Sequence, residues 1–402
     1  MSKKLLYVLA LCCLLIGAFV LPVSAQEGER WVGSDDLPTA PLECPAGAGG
    51  AAEEAATDEM ATEEASAAPA YDGGVAANAP DLAGQPITIV DIPKLIGIGY
   101  FNATSAGIQQ AAEELGNVNA TTDGPTEGDI TAQIEFIENY ITQGVNGILF
   151  AANDPVAISP VLRRALEQGI HVVGYDANSE PDAREWFVNQ AEFNGIAKAL
   201  VDSMVAEIGP DGRFAIVTSS FTAPNQGRWI AEMHDYVGKC YPDLVWLETV
   251  EAQEDQQLAF QQTQTLINKY GEELDGVFGM SSVAVPGAAD AVTQASVCAV
   301  DSLANAAATP EEAVAVVGVS TPNQMRPFVD NGCVKSVVLW NPVDLGYAAV
   351  YVMRAVVDGT LTSESTSVEA GRLGTLQVVN GSEILLGSPF VFTAENIADF
   401  DF

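Results

Sequence analysis

The regular alternation of strand-like and helix-like segments from Ile87 onward most constrains what this chain can fold into. Short β-branched runs are separated by stretches in which apolar residues recur at helical spacing. The clearest helical stretch carries isoleucine along one face from Ile130 to Ile141 and ends before Gly144. Because a helix between two strands connects them in parallel, the alternation predicts an α/β fold with parallel sheets covered by helices on both faces.

The predicted strands fall into two series. The first comprises Ile87–Ile92, Val118–Thr122, Gly147–Ala151 and His171–Tyr175, and the second comprises Phe214–Thr218, Val245–Val250, Gly276–Met280, Ala315–Gly318 and Val334–Leu339. A strand-like run from Trp186 to Gln190 interrupts the alternation, so we place the crossover between two domains there. Since the folded part is longer than one core usually holds, we expect two doubly wound parallel-sheet lobes whose strand ends face a shared cleft.

The first 25 residues have the pattern of an export signal. Lys3 and Lys4 precede an apolar core from Leu5 to Leu21, and small residues before Gln26 predict cleavage there. An uncleaved anchor and lipidation at the Cys12-Cys13 pair are the alternatives. The pattern predicts a protein exported to the periplasm or extracytoplasmic space, with a membrane tether as the alternative.

Residues 26–86 are rich in Ala, Glu, Gly and Pro and poor in large apolar side chains, which predicts a disordered acidic linker. The whole chain carries a net charge of −38. This charge favours solubility and argues against nucleic-acid binding, which needs clustered Lys and Arg. An exported chain can form disulfides, but spacing leaves the pairing of Cys240, Cys298 and Cys333 open. Cys44 lies in the linker and could remain unpaired.

The sequence offers no arrangement typical of an enzyme. There is no glycine-rich phosphate motif after a strand, and neither His171 nor His234 has a catalytic partner by spacing. With two His and no CxxC pair, we expect no metal site, and we expect no cofactor or catalytic residue.

A candidate binding edge follows the first predicted strand. The run from Ile92 to Phe101 places Lys94, Tyr100 and Phe101 in the loop before a helix, where ligands of open α/β sheets bind. A cationic donor beside flat apolar rings suits a small polyhydroxylated ring.

Several blocks of the chain resemble the periplasmic sugar-binding proteins of the ribose-binding type, and most closely their rhamnose and autoinducer-2 binding branch. The blocks are Ile92–Phe101, Asp123-Gly-Pro-Thr-Glu127, Val173-Gly-Tyr-Asp176, Val317–Asn323 with Met325-Arg-Pro327, and Glu395-Asn-Ile397. The resemblance implies the type I fold, in which three crossing segments form a hinge. It implies one lobe of residues 87–190 plus 341–370 and a second of 191–340 plus 371–402. It also implies a monomer that closes around a small sugar and delivers it to an ABC permease.

The resemblance further implies which residues bind. Asp176, at the end of a strand, would accept hydrogen bonds from sugar hydroxyls, with Lys94 as donor. The remaining candidates are Tyr100 and Phe101 from the first lobe, Asn225, Gln226, Met280, Ser281 and Ser282 from the second, and Trp340 and Asn341 at a crossing segment. A turn role for Asp176, a helix cap for Asn225 and core packing for Trp340 are the structural alternatives.

Only half of the binding residues of the autoinducer-2 pattern are present in this chain, because Asn225, Met280 and Ser282 differ from it. The departures favour a related sugar, such as rhamnose or another pentose or hexose, over autoinducer-2 itself. A component that presents sugar to a membrane receptor is the alternative to transport.

Overall fold

In the computed structural model, residues 42–46, 70–298 and 313–402 are described. The first part of the folded chain alternates strands and helices. The strands are β1 (Ile87–Ile92), β2 (Val118–Thr122), β3 (Gly147–Phe150), β4 (His171–Tyr175) and β5 (Trp186–Asn189), and the helices are α1 (Gly99–Leu115), α2 (Ile130–Gln143) and α3 (Pro155–Glu167). These strands pair in parallel in the order β2-β1-β3-β4-β5.

A second parallel sheet follows, in the order β7-β6-β8-β9. Its strands are β6 (Arg213–Thr218), β7 (Val245–Glu251), β8 (Gly276–Gly279) and β9 (Ala315–Gly318), and its helices are α4 (Phe193–Ile208), α5 (Pro224–Cys240), α6 (Gln256–Tyr270), α7 (Ala284–Ala295) and α8 (Pro322–Asp330). The two parallel sheets with their helices confirm the predicted fold class.

The remainder of the chain extends the first sheet and forms a two-stranded sheet beside the second. It contains α9 (Pro342–Val357) and the strands β10 (Ser336–Leu339), β11 (Ser367–Glu369), β12 (Thr375–Asn380), β13 (Glu383–Leu385) and β14 (Phe390–Thr393), and short 3-10 turns lie at Pro181–Ala183, Gly271–Glu273, Gly371–Leu373 and Ile397–Asp399. β13 pairs in parallel with β5, and β12 and β11 extend that edge to make eight strands. β10 pairs with β14 and meets the end of β9 through a bridge between Val319 and Val338.

This pairing corrects the expected division of the chain. Residues 371–402 were expected with the second lobe, but β12 and β13 belong to the first sheet, and only β14 lies on the second side, in a two-stranded sheet with β10. The chain therefore passes between the sheets after β5, after β10 and after β13. Sequence periodicity could not assign these short strands, because either sheet offers an edge to pair with.

The fold also begins earlier than expected. Gly74 N donates to the Arg184 carbonyl oxygen, and Ala77 N donates to the Leu166 carbonyl oxygen, so the backbone before Ile87 is bound to the first sheet and its helices. Cys44 forms a disulfide with Cys240 at the end of α5, and Cys298 pairs with Cys333. The linker expectation is therefore wrong for residues 42–46 and 70–86. The predicted signal, residues 1–25, lies outside the described residues.

Local sequence signals explain the helix ends. Asp129 accepts hydrogen bonds from Thr131 N and Ala132 N at the start of α2, and Gly144, with φ of +71°, closes it. A side-chain oxygen satisfies amides that the first turn leaves free, and glycine adopts the left-handed conformation at little cost. Among the helices of the described ranges, none combines the length and apolar character that a membrane crossing needs.

Candidate functional site

A cavity of about 30 Å³ lies where the strand ends of the two sheets meet. Its lining comprises Lys94, Ile98, Tyr100, Phe101, Asp176, Asn225, Gln226, Trp229, Glu254, Met280, Ser281, Ser282, Val319 and Trp340. The structure thus brings together every predicted site residue except Asn341. Carboxyl ends of parallel strands are where open α/β sheets bind ligands, which explains why residues so distant in sequence meet here.

Asp176 is the first residue after β4 and adopts a left-handed backbone conformation, with φ of +60°. Its carboxylate is buried and accepts hydrogen bonds from the Tyr100 hydroxyl at 2.8 Å and from Asn225 Nδ2 at 3.3 Å. Burial raises the pKa of this carboxyl to about 6, and the nearby charge of Lys94 opposes that rise. A carboxylate held at the cavity in this way can accept hydroxyl hydrogen bonds.

Lys94, in the loop between β1 and α1, is also buried. Its ammonium donates to Asn225 Oδ1 at 3.2 Å and to a Glu254 oxygen at 3.4 Å. The Glu254 carboxylate is its direct ion-pair partner. A buried charge is costly unless it is paired, so this contact stabilises the Lys94 ammonium in the cavity wall.

Aromatic rings form the apolar wall. Tyr100 and Phe101 meet edge to face with centroids 5.1 Å apart, and the Trp340 indole donates to the Tyr100 hydroxyl at 2.9 Å. Trp229 packs against Trp340 with centroids 5.5 Å apart. Such rings offer a flat surface to the C–H face of a sugar.

Asn225 and Gln226 lie in the first turn of α5. The N-cap of α5 is Ala223, so Asn225 is not the cap, and its amide group bridges Lys94 and Asp176 instead. Gln226 Oε1 accepts from Thr218 Oγ1 at 2.6 Å, which orients the Gln226 amide, and its Nε2 donates to Glu254 at 3.2 Å.

The loop after β8 contributes Met280, Ser281 and Ser282. Ser281 Oγ accepts from Ala284 N at 3.2 Å, and the Ser282 carbonyl accepts from Ser320 Oγ at 2.9 Å. These bonds hold the loop at the cavity wall.

Asn341 does not line the cavity. Its side-chain oxygen accepts from Val343 N at 2.9 Å and from Asp344 N at 3.3 Å, so it is the N-cap of α9. Trp340, the preceding residue, points to the cavity. Because both follow β10 directly, sequence alone could not tell which of the two would face the ligand and which would begin the helix.

Sequence reasoning missed Glu254 and Trp229. Glu254 lies in the loop after β7 with φ of +53°, and no motif marks it. Trp229 had a usable signal, since it lies four residues after Asn225 on the same helix face. The Trp229 indole N–H is buried with no hydrogen-bond partner among the described residues, which leaves it available to a ligand.

A larger groove of about 780 Å³ adjoins the cavity, and Lys94 and Glu254 line both spaces. The cavity itself holds room for about two water molecules. Within the described ranges, no group of His, Cys, Asp and Glu could hold a metal ion. The site therefore offers hydrogen-bond donors, acceptors and aromatic faces.

The sequence model of one protein family, the periplasmic binding protein domain, matches residues 89–361 of this chain. A curated D-ribose/D-allose-binding protein from Pseudomonas aeruginosa is 34% identical over 87 residues. That match covers 22% of this chain and 23% of the relative, so it spans about a quarter of the relative's length.

Solved structures match over most of the chain. A sugar ABC transporter structure from Actinomyces odontolyticus is 30% identical, with a TM-score of 0.62, and the match covers 81% of this chain and 100% of that one. A solute-binding protein of an ABC transporter from Clostridium phytofermentas, solved with bound L-rhamnose, is 28% identical with a TM-score of 0.72. That match covers 78% of this chain and 98% of the other.

Proposed function

The chain belongs to the periplasmic binding protein domain family, whose members bind solutes and are not enzymes, and we propose that it captures a small sugar in the cavity between its two sheets and delivers it to an ABC permease. The observation that carries the proposal is the lining of this cavity. Two carboxylates, an ammonium and two amides share this lining with aromatic rings between the strand ends. Sugars combine hydroxyl groups with apolar C–H faces, and this lining complements both.

The two sheets are proposed as the centres of two lobes joined by the three crossings. Direct hydrogen bonds already span the cleft, from Lys94 and Asp176 on the first sheet to Asn225 and Glu254 on the second side. A sugar is much larger than the cavity of about 30 Å³. Binding therefore requires the lobes to separate and the sugar to replace the bonds that Asn225 makes to Lys94 and Asp176, with the Lys94–Glu254 pair formed again when the lobes close. We expect the protein to act as a monomer.

A deoxy sugar such as L-rhamnose is the proposed ligand. The cavity presents Ile98, Met280 and Val319 alongside the aromatic rings, which gives an apolar place for a methyl group. The match to a protein solved with L-rhamnose supports this choice. Presentation of the same sugar to a membrane receptor would use the same site.

Thermal unfolding with L-rhamnose, D-ribose, D-allose, D-arabinose and autoinducer-2 tests the proposal. A ligand at 100 times its dissociation constant should raise the unfolding free energy by about 2.7 kcal/mol. We expect the largest shift with L-rhamnose and confirmation of one site by calorimetry. The absence of a shift with every compound would refute the sugar assignment, and a larger shift with autoinducer-2 would replace rhamnose.

A further inference from the structure

We propose, on the basis of the proposed sugar-binding function, that Glu254 restricts the site to uncharged sugars by pairing with Lys94 and so excluding phosphorylated sugars and sugar acids. Among the described residues, Lys94 is the single basic side chain that lines either the cavity or the adjoining groove. It is the one positive charge among the described lining residues that could attract an anionic ligand.

The charge of Lys94 is already neutralised. Its side chain is 3% exposed, that of Glu254 is 8% exposed, and the two lie 3.4 Å apart. Gln226 Nε2 donates to the same Glu254 oxygen, which holds the carboxylate in place. An anion can bind Lys94 only by displacing a buried carboxylate, which would then be left unpaired.

Three helix N-termini at the groove, the other usual source of anion-binding donors, are blocked as well. Four helices begin at the groove. One of them, α5, has Ala223 as its N-cap and no side-chain cap, but it starts with Pro224, which lacks an N–H; each of the other three has an aspartate as its N-cap. Asp129 accepts from amides of α2, Asp154 from amides of α3, and Asp255 from an amide of α6. These side chains occupy the N–H groups that a phosphate would use.

Further carboxylates line the groove and add repulsion. Glu127 and Glu251 lie there with the three capping aspartates, and Lys94 is the one cation that lines the groove in the part of the chain that the structure describes. Specificity of this kind arises from penalties against the wrong ligand, so the arrangement excludes anions without weakening contacts to a neutral sugar.

Matched pairs of ligands test the inference, measured by calorimetry on the full exported chain. The pairs are L-rhamnose with L-rhamnose 1-phosphate and D-ribose with D-ribose 5-phosphate. Wild type should bind the neutral member of a pair at least about tenfold more tightly than the phosphate. Glu254→Gln should raise the affinity for the phosphate relative to the neutral sugar by about tenfold, because Lys94 becomes available.

Two variants make the result specific. Glu254→Asp keeps the negative charge and should keep most of the preference for the neutral sugar over its phosphate. It also provides a test at this position if Glu254→Gln does not fold. Glu127→Gln removes an exposed groove carboxylate that does not touch Lys94. It should change the ratio of the phosphate affinity to the neutral-sugar affinity by less than about threefold.

Equal binding of a neutral sugar and its phosphate by wild type would overturn the inference while leaving sugar binding intact. Identical ratios of phosphate affinity to neutral-sugar affinity in Glu254→Gln and Glu254→Asp would also overturn the inference. If wild type binds neither member of either pair, the proposed function fails, and the inference fails with it.

Discussion

Asn225 Nδ2 lies 3.3 Å from Asp176 Oδ2, so a hydrogen bond joins the end of a strand in one sheet to the first turn of a helix that covers the other. The same amide group accepts a hydrogen bond from Lys94. Asn225 therefore connects the two charged groups contributed by the first sheet. In the proposed sugar complex, hydroxyl groups of the ligand replace these contacts.

Asp176→Asn should weaken sugar binding by about 10- to 100-fold. The substitution replaces a carboxylate by an amide of the same shape and removes charge-assisted hydrogen bonds, worth about 1.5–3 kcal/mol each. Calorimetric titration measures the change. Asp123→Asn is the matched control, because Asp123 follows β2 in the same sheet and its carboxylate accepts from Tyr140 rather than facing the cavity. Equal losses in both variants would place the binding site elsewhere.

The pKa of Asp176 predicts a defined pH dependence. Burial raises this pKa from 3.8 to about 6, so between those values the folded state binds a proton that the unfolded state releases. The stabilising contribution is therefore present below about pH 4 and is lost as the pH rises through 6. It amounts to something on the order of 3 kcal/mol. Urea unfolding of wild type and Asp176→Asn at pH 4.5 and 7.5 measures it.

The variant should gain stability over wild type at pH 7.5 and lose most of that advantage at pH 4.5. Comparing the two proteins cancels the other buried acids, Asp91, Glu207 and Glu383, whose pKa values burial also raises. Parallel pH profiles would show that Asp176 does not titrate in this range.

Asn341 and Trp340 should respond differently to substitution. Asn341→Ala removes the cap of α9 and should lower the unfolding free energy by about 1 kcal/mol without changing sugar affinity. Trp340→Phe removes the indole donor to Tyr100 and should weaken sugar binding. Thermal unfolding and titration of both variants separate these roles. A loss of affinity in Asn341→Ala comparable to that in Trp340→Phe would contradict the capping assignment.

The Cys44–Cys240 disulfide should stabilise the fold measurably. It links residues 196 positions apart, and closing a long loop restricts the unfolded chain. Cys44→Ser should therefore lower the unfolding free energy by about 2–4 kcal/mol. Urea unfolding measures the change, and the Cys44→Ser/Cys240→Ser double variant should match the single one. Detection of a free Cys44 thiol in the oxidised protein would refute the pairing.

The sequence by itself determined the fold class and much of the candidate site. Strand and helix periods depend on neighbouring residues, so the alternation from Ile87 predicted parallel sheets. The rule that ligands lie beyond strand ends, combined with the family resemblance, pointed to Lys94 and Asp176. Both lie within two residues of a strand end, where local sequence determines position.

Only the tertiary structure decided the rest. Glu254 reaches Lys94 because two loops 160 residues apart converge, and no local pattern encodes that distance. The Cys44–Cys240 pairing and the attachment of β13 to β5 likewise join segments far apart in sequence. Local interactions determine which element forms, whereas the packing of the whole chain determines which elements meet.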